Sequence, residues 1–188
     1  RNLELTVRQA AFQVASIITT TGFSSVDFDL WPEFSKGILV LLMFCGACAG
    51  STGGGFKISR LLILCKAIPK QLSLVIHPRE VKVIRMDGKP IDHNTLRSTN
   101  VYLAIYFFIL LVSTLLISVD NFNLTTNFTA VASTLNNIGP GLDGVGPTRN
   151  FGMYSDFSKF VLMFDMLAGR LELYPLLILF MPSLWRRK

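Results

Sequence analysis

Charge is what this sequence has little of: 16% of its 188 residues are charged, against about 25% in a soluble domain. With 51% hydrophobic residues, that deficit excludes a disordered chain and argues against an ordinary soluble enzyme. Histidine is nearly absent, and His77 and His93 lack the spacing of metal ligands. The three cysteines, Cys45, Cys48 and Cys65, all lie in apolar stretches. Cys45-Gly-Ala-Cys48 has the spacing of a redox or metal motif, but no strand–helix–strand context surrounds it, so buried small apolar side chains are the better reading. No nucleophile–base constellation is present, which puts a membrane enzyme last among the candidates. The chain opens Arg1-Asn2-Leu3-Glu4, without an initiator Met or a signal-peptide pattern. It is expected to be a fragment lacking its N-terminal part.

What the sequence does have is long apolar runs. Ser98 to Val119 contains no charged residue, which suits the ~20 residues a helix needs to span hydrocarbon. Gly37 to Ala67 is apolar but broken by Gly50-Ser51-Thr52-Gly53-Gly54-Gly55, and Phe157 to Trp185 is apolar but carries Asp165, Arg170 and Glu172. Two shorter stretches, Ala10 to Ile18 and Phe128 to Leu135, read as re-entrant or buried helices.

The net charge of +6 sorts by side. Residues 56–97 hold nine Lys or Arg against three acids, and Arg186-Arg187-Lys188 ends the chain. Residues 19–35 hold three acids and no base, while 120–156 hold three acids and one base. Basic segments are retained on the cytoplasmic side. Residues 66–97 and the C-terminus are therefore expected inside, with the acidic segments outside. Nucleic acid is a weak reading of this charge.

The two outer regions repeat each other. At an offset of 117, Val14-Ala15-Ser16 matches Val131-Ala132-Ser133 and Gly22 matches Gly139; at 123, Phe34-Ser35-Lys36 matches Phe157-Ser158-Lys159 and Gly46 matches Gly169. The unit reads short helix, glycine-containing loop, long helix. Irregular backbone at membrane depth is tolerated where protein buries it or where it lines a water-filled path. A helix entering from outside aims the negative end of its dipole at the membrane centre. The returning loop offers carbonyls that can replace a cation's hydration shell. Thr19-Thr20-Thr21 and Asn136-Asn137 are polar where hydrocarbon penalises polarity. Two surface loops with capping Thr and Asn are the plainer alternative.

These residues resemble the second half of Trk/Ktr-type potassium uptake subunits of bacteria, most closely the TrkH branch. The resemblance rests on Thr19-Thr-Thr-Gly-Phe23, Cys48-Ala-Gly-Ser-Thr-Gly-Gly-Gly-Phe-Lys57, Asn136-Asn-Ile-Gly-Pro-Gly141 and Gly169-Arg-Leu-Glu172. The segment from His77-Pro78 to Lys89-Pro90 also looks like the family's cytoplasmic linker. The resemblance implies an all-α polytopic membrane protein of repeated, potassium-channel-like M1–P–M2 units with re-entrant pore loops. Residues 1–69 would be the pore helix, filter loop and broken M2 of a third repeat, 70–97 a cytoplasmic linker, and 98–188 a fourth repeat. Thr20, Thr21 and Gly22 would line the potassium filter from one quadrant, and Asn137, Ile138 and Gly139 from another. Potassium would be cargo, with no covalent cofactor. A homodimer, membrane lipid, a cytoplasmic nucleotide-binding ring of the TrkA/KtrA type, and multi-pass placement in the inner membrane are implied in the same way.

Gly46 to Gly55 holds five glycines, each costing a helix roughly 1 kcal/mol relative to Ala, so the helix begun near Gly37 should stop there. Phe56 before Lys57 and Ile58 after it rule out a phosphate-binding loop. By resemblance, Gly50, Gly53, Gly54 and Gly55 belong to an intramembrane gate together with Arg170. Arg170 cannot pair well with Asp165 or Glu172 on its own helix, because good pairs fall three or four residues apart. Loop carbonyls would suit it, and so would an acid on another helix. Val81 to Ile91 alternates around Asp87-Gly88, a hairpin signal, and is either a solvated connector or a dock for the regulator. A secondary cation transporter with broken helices near the midplane is the competing reading of the whole.

Overall fold

A helix satisfies its backbone within one segment, which is why apolar runs destined for hydrocarbon adopt it. The computed structural model describes residues 3–46, 54–77, 83–86, 88–171 and 178. Six helices dominate: α1 (Leu3–Ile18), α2 (Glu33–Phe44), α3 (Ile58–Ile76), α4 (His93–Ile117), α5 (Leu124–Leu135) and α6 (Asp156–Leu171). Between α3 and α4 lie two short antiparallel strands, β1 (Arg85–Met86) and β2 (Lys89–Pro90).

Helix α4 is the one described segment long and apolar enough to cross a membrane, as part of Asn94–Asp120. It starts five residues before the expected Ser98, because the polar turn His93–Arg97 continues the helix toward the linker. Tyr102, Tyr106, Leu110, Ser113 and Ile117 form its buried stripe, whereas Phe108, Leu111 and Leu115 on other faces are well exposed. A helix apolar on every side is at home in lipid.

Helix α5 is the opposite case. Nine of its twelve residues are buried, and it packs between α4 and α6. Two of its buried hydroxyls are satisfied within the helix: Thr129 Oγ1 donates to the Thr125 carbonyl at 2.7 Å and Thr134 Oγ1 to that of Ala130 at 2.9 Å. One core cluster joins Tyr106 and Leu110 of α4, Val131 and Leu135 of α5, and Leu162 and Ala168 of α6. A second joins Ile17, Phe28, Leu39 and Met43 to Ile138 and Leu142.

Helix α2 begins at Glu33 rather than near Gly37. Pro32 holds the preceding φ at −54°, and Glu33 in the first turn suits the helix dipole and pairs with Lys36 at 2.6 Å. It ends at Phe44, before the glycine-rich segment. The Gly46 amide donates to the Phe56 carbonyl at 2.9 Å, so the two ends of that segment are held together. Gly50 and Gly53 lie outside the described residues, as does most of the apolar run after Leu171. The hairpin forms where Asp87-Gly88 signals it, with Gly88 at φ +77° and Met86 opposite Lys89.

Candidate functional site

The chain turns the same corner twice. After α1, the Thr19 amide donates to the Ala15 carbonyl, Thr20 to Ile17 and Thr21 to Ser16, at 3.0, 3.1 and 2.9 Å. After α5, Asn136 donates to Ala132, Asn137 to Thr134 and Ile138 to Ser133, at 3.1, 3.0 and 2.9 Å. Thr20 and Asn137 both take φ 54°, and Gly22 and Gly139 follow at φ +78° and +113°. This is a helix C-terminus closed by a left-handed residue. It puts Thr20 and Asn137, not only the glycines, in the conformation that L-residues avoid.

A serine ties down each corner. Ser16 Oγ donates to the Phe23 carbonyl at 2.6 Å, and Ser133 Oγ donates to the Gly139 carbonyl at 2.6 Å. The first loop is thus tied one residue later than the second. Downstream the likeness continues. Asp27 and Asn150 each accept from the amide two residues on, short turns follow at Phe28–Leu30 and Phe151–Met153, and α2 and α6 then begin at Glu33 and Asp156. Glu33–Lys36 and Asp156–Lys159 form the same ion pair at 2.6 and 3.6 Å.

The two corners touch. A Cβ on Gly22 would overlap the backbone carbonyl of Ile138, so this position must be glycine for proximity as well as for φ. The Ile138 side chain turns away into the α1–α2 core and is 4% exposed. Beyond the corners, the Asp143 amide donates to Asp29 Oδ1 at 3.0 Å and Thr148 Oγ1 to Asp27 Oδ2 at 3.2 Å. Asp143 itself accepts from Asn123 Nδ2 and from Thr126 Oγ1. The Asn123 bond, with that of Thr126, holds its carboxyl below the usual range of 3.8. Carboxylates therefore bridge the segments that follow the two corners.

Below the second corner, the C-terminal end of α5 is clasped closely. Tyr106 Oη donates to Asn136 Oδ1 at 2.8 Å, and Asn136 Nδ2 donates to the Ala132 carbonyl at 2.7 Å. Gly54 and Gly55 lie against Asn136, and Gly169 lies against the Leu135 carbonyl. Asn137 Nδ2 donates to the Met166 carbonyl at 3.0 Å, joining the corner to α6. Of the expected gate residues, Gly54 and Gly55 thus meet Asn136, and Gly54 also comes close to Asn137. Arg170 stands exposed in the last turn of α6, and its expected partners Gly50 and Gly53 lie outside the described residues. Asp165 is fully buried and accepts from Ser113 Oγ of α4 at 2.7 Å.

The sequence pattern assigns no role to Ser16, Ser133, Tyr106 or Asp165, and marks Asn136 only as polar at membrane depth. For the serines the signal was present, since they stand at the same place in the repeated triplet. Chemically the corners offer backbone carbonyls at the negative end of two helix dipoles. Among the described residues no His, Cys, Asp and Glu cluster could hold a metal of the usual kind.

A family profile described as "TrkH: Cation transport protein" matches residues 2–187. The chain belongs to the TrkH family. It is 40% identical over 178 residues to the Trk system potassium uptake protein TrkH of Vibrio parahaemolyticus, covering 95% of this chain and 36% of that protein. It is 38% identical over 182 residues to TrkH of Escherichia coli K12, covering 97% and 37%. The crystal structure of the potassium transporter TrkH from Vibrio parahaemolyticus superposes with a TM-score of 0.85 at 40% identity, over 95% of this chain and 38% of that one. The chain thus spans little more than a third of the length of these TrkH relatives. TrkH is a family of membrane transporters, not of enzymes, and the helical fold agrees with that.

Proposed function

We propose that this chain forms two of four quadrants of a potassium uptake pore in the bacterial inner membrane. Each quadrant is an M1–P–M2 unit. Helices α1 and α5 are the pore helices, re-entering from outside, and their corners are filter loops that return outward. Thr20, Thr21 and Gly22 supply one quadrant of carbonyls and Asn137, Ile138 and Gly139 another. In the second quadrant Ser133 already holds the Gly139 carbonyl, which leaves Asn137 and Ile138 as its freer ligands. Potassium sheds water onto these carbonyls, with no covalent step. The observation that carries this reading is the pair of matching corners meeting at Gly22 and Ile138.

The glycine-rich segment is the gate. Gly54 and Gly55 pack directly under Asn136, so movement of the loop is transmitted to the filter, and Arg170 holds the closed position. The anionic rim of Asp29 and Asp143 raises the local cation concentration outside. A cytoplasmic nucleotide-binding ring docking near the hairpin and a second copy of the subunit belong to the same proposal.

Cation flux into proteoliposomes of the full-length subunit tests it, with potassium against sodium and with or without a driving gradient. Flux that saturates and shows competition between cations supports the pore. Strict coupling to another solute overturns it.

A further inference from the structure

A groove of about 290 Å³ lies between α3 and the hairpin, lined by Lys66, Pro69, Lys70, Val83, Ile84 and Arg85. Three of these six carry positive charge and none is acidic. Lys66 and Lys70 stand one helical turn apart, where like charges repel, and Arg85 adds a third cation from the hairpin. The arrangement is built rather than loose. Lys66 Nζ donates to the Arg85 carbonyl at 2.9 Å, the Ile91 amide closes the hairpin onto the Ile84 carbonyl at 2.8 Å, and Ile63, Ala67, Ile84 and Leu96 pack beneath.

On α3 the groove's Lys66 and Lys70 stand between two apolar stretches, Leu61 to Cys65 and Leu72 to Ile76. Leu62, one turn before Lys66, is 48% exposed. An amphiphile with its anionic head at Lys66, Lys70 and Arg85 could lay an acyl chain along Leu62.

We propose that this groove binds the headgroup phosphate of an anionic phospholipid on the cytoplasmic side of the membrane. Basic pockets at the cytoplasmic ends of membrane helices suit such headgroups. The phosphate supplies counter-charge to Lys66, Lys70 and Arg85, and binding fixes the hairpin against α3. The inference rests on the chain being embedded in the membrane, not on the ion pathway.

Retention of phosphatidylglycerol by the purified full-length subunit, measured by native mass spectrometry, tests it. The variant Lys70→Gln with Arg85→Gln keeps the Lys66 clamp, since Arg85 contributes only its carbonyl there. It should weaken retention by about thirtyfold, at roughly fivefold per lost cation. Lys70→Arg with Arg85→Lys should restore it, and phosphatidylcholine should bind weakly to every form. Equal retention by wild type and the glutamine variant overturns the proposal. So does displacement of the lipid by millimolar inorganic phosphate, which would make the groove a site for free phosphate. Cation flux through wild type is measured in parallel, so that failure of the pore reading is seen separately.

Discussion

The backbone carbonyl of Ile138 occupies the space that a side chain on Gly22 would need. Two loops far apart in the chain are thereby fixed against each other, one from each unit. Gly22→Ala adds backbone strain on the order of 1–3 kcal/mol at φ +78° to this overlap. It should abolish uptake by the full-length subunit and lower its melting temperature. Gly37→Ala is the control, because its Cβ meets nothing within 4 Å and a helix gains up to about 1 kcal/mol from the change. Comparable loss in both variants would remove the contact from the account.

Tyr106→Phe deletes the hydrogen bond to Asn136 Oδ1, leaving without its donor a buried acceptor that Gly55 lies against. The expected cost is about 1–3 kcal/mol, read by thermal denaturation in detergent. Flux should fall as well, because Asn136 links the glycine-rich segment to the corner. Stability lost with flux intact would make Tyr106 a packing residue only.

Ser113 and Asp165 join α4 to α6 through one short hydrogen bond. A double-mutant cycle of Ser113→Ala and Asp165→Ala should give a coupling of roughly 0.5–3 kcal/mol. Additive effects would mean that the bond contributes nothing to helix pairing.

The Asp143 carboxyl is held below its ordinary range by Asn123 first and Thr126 next. Its folded value lies under its unfolded one, so its contribution is present above about pH 4 and lost as pH falls through the folded value. Asp143→Asn should therefore be less stable than wild type at neutral pH. The gap should close on acidification below 3.8. Acid-denaturation curves of the two proteins check this, and a gap independent of pH would count against it.

Much of this fold is legible in the sequence, because apolar periodicity, the Asp-Gly turn and the glycine-rich break each act locally. The likeness of the two turns runs further than the matching triplets suggest. Asp27 and Asn150 are different residues doing the same capping, so backbone geometry persists where side chains diverge. What stays hidden depends on distance along the chain. Nothing local marks Ile138 as a core residue of the other unit, or Ser113 as the partner of Asp165. Thr20 and Asn137 were visible as polar residues, but their left-handed backbone follows from the corner and not from their own preference.

The central claim is that the two corners form one cation path. Potassium flux into proteoliposomes, compared for the full-length wild type, Gly22→Ala and Gly139→Ala, tests it most directly. A Cβ at Gly139 meets open space, so strain at φ +113° is the only cost there. The account predicts saturable flux in wild type, loss in Gly22→Ala, and in Gly139→Ala a folded protein with altered preference between potassium and sodium. Wild-type rates and selectivity in both variants would contradict it.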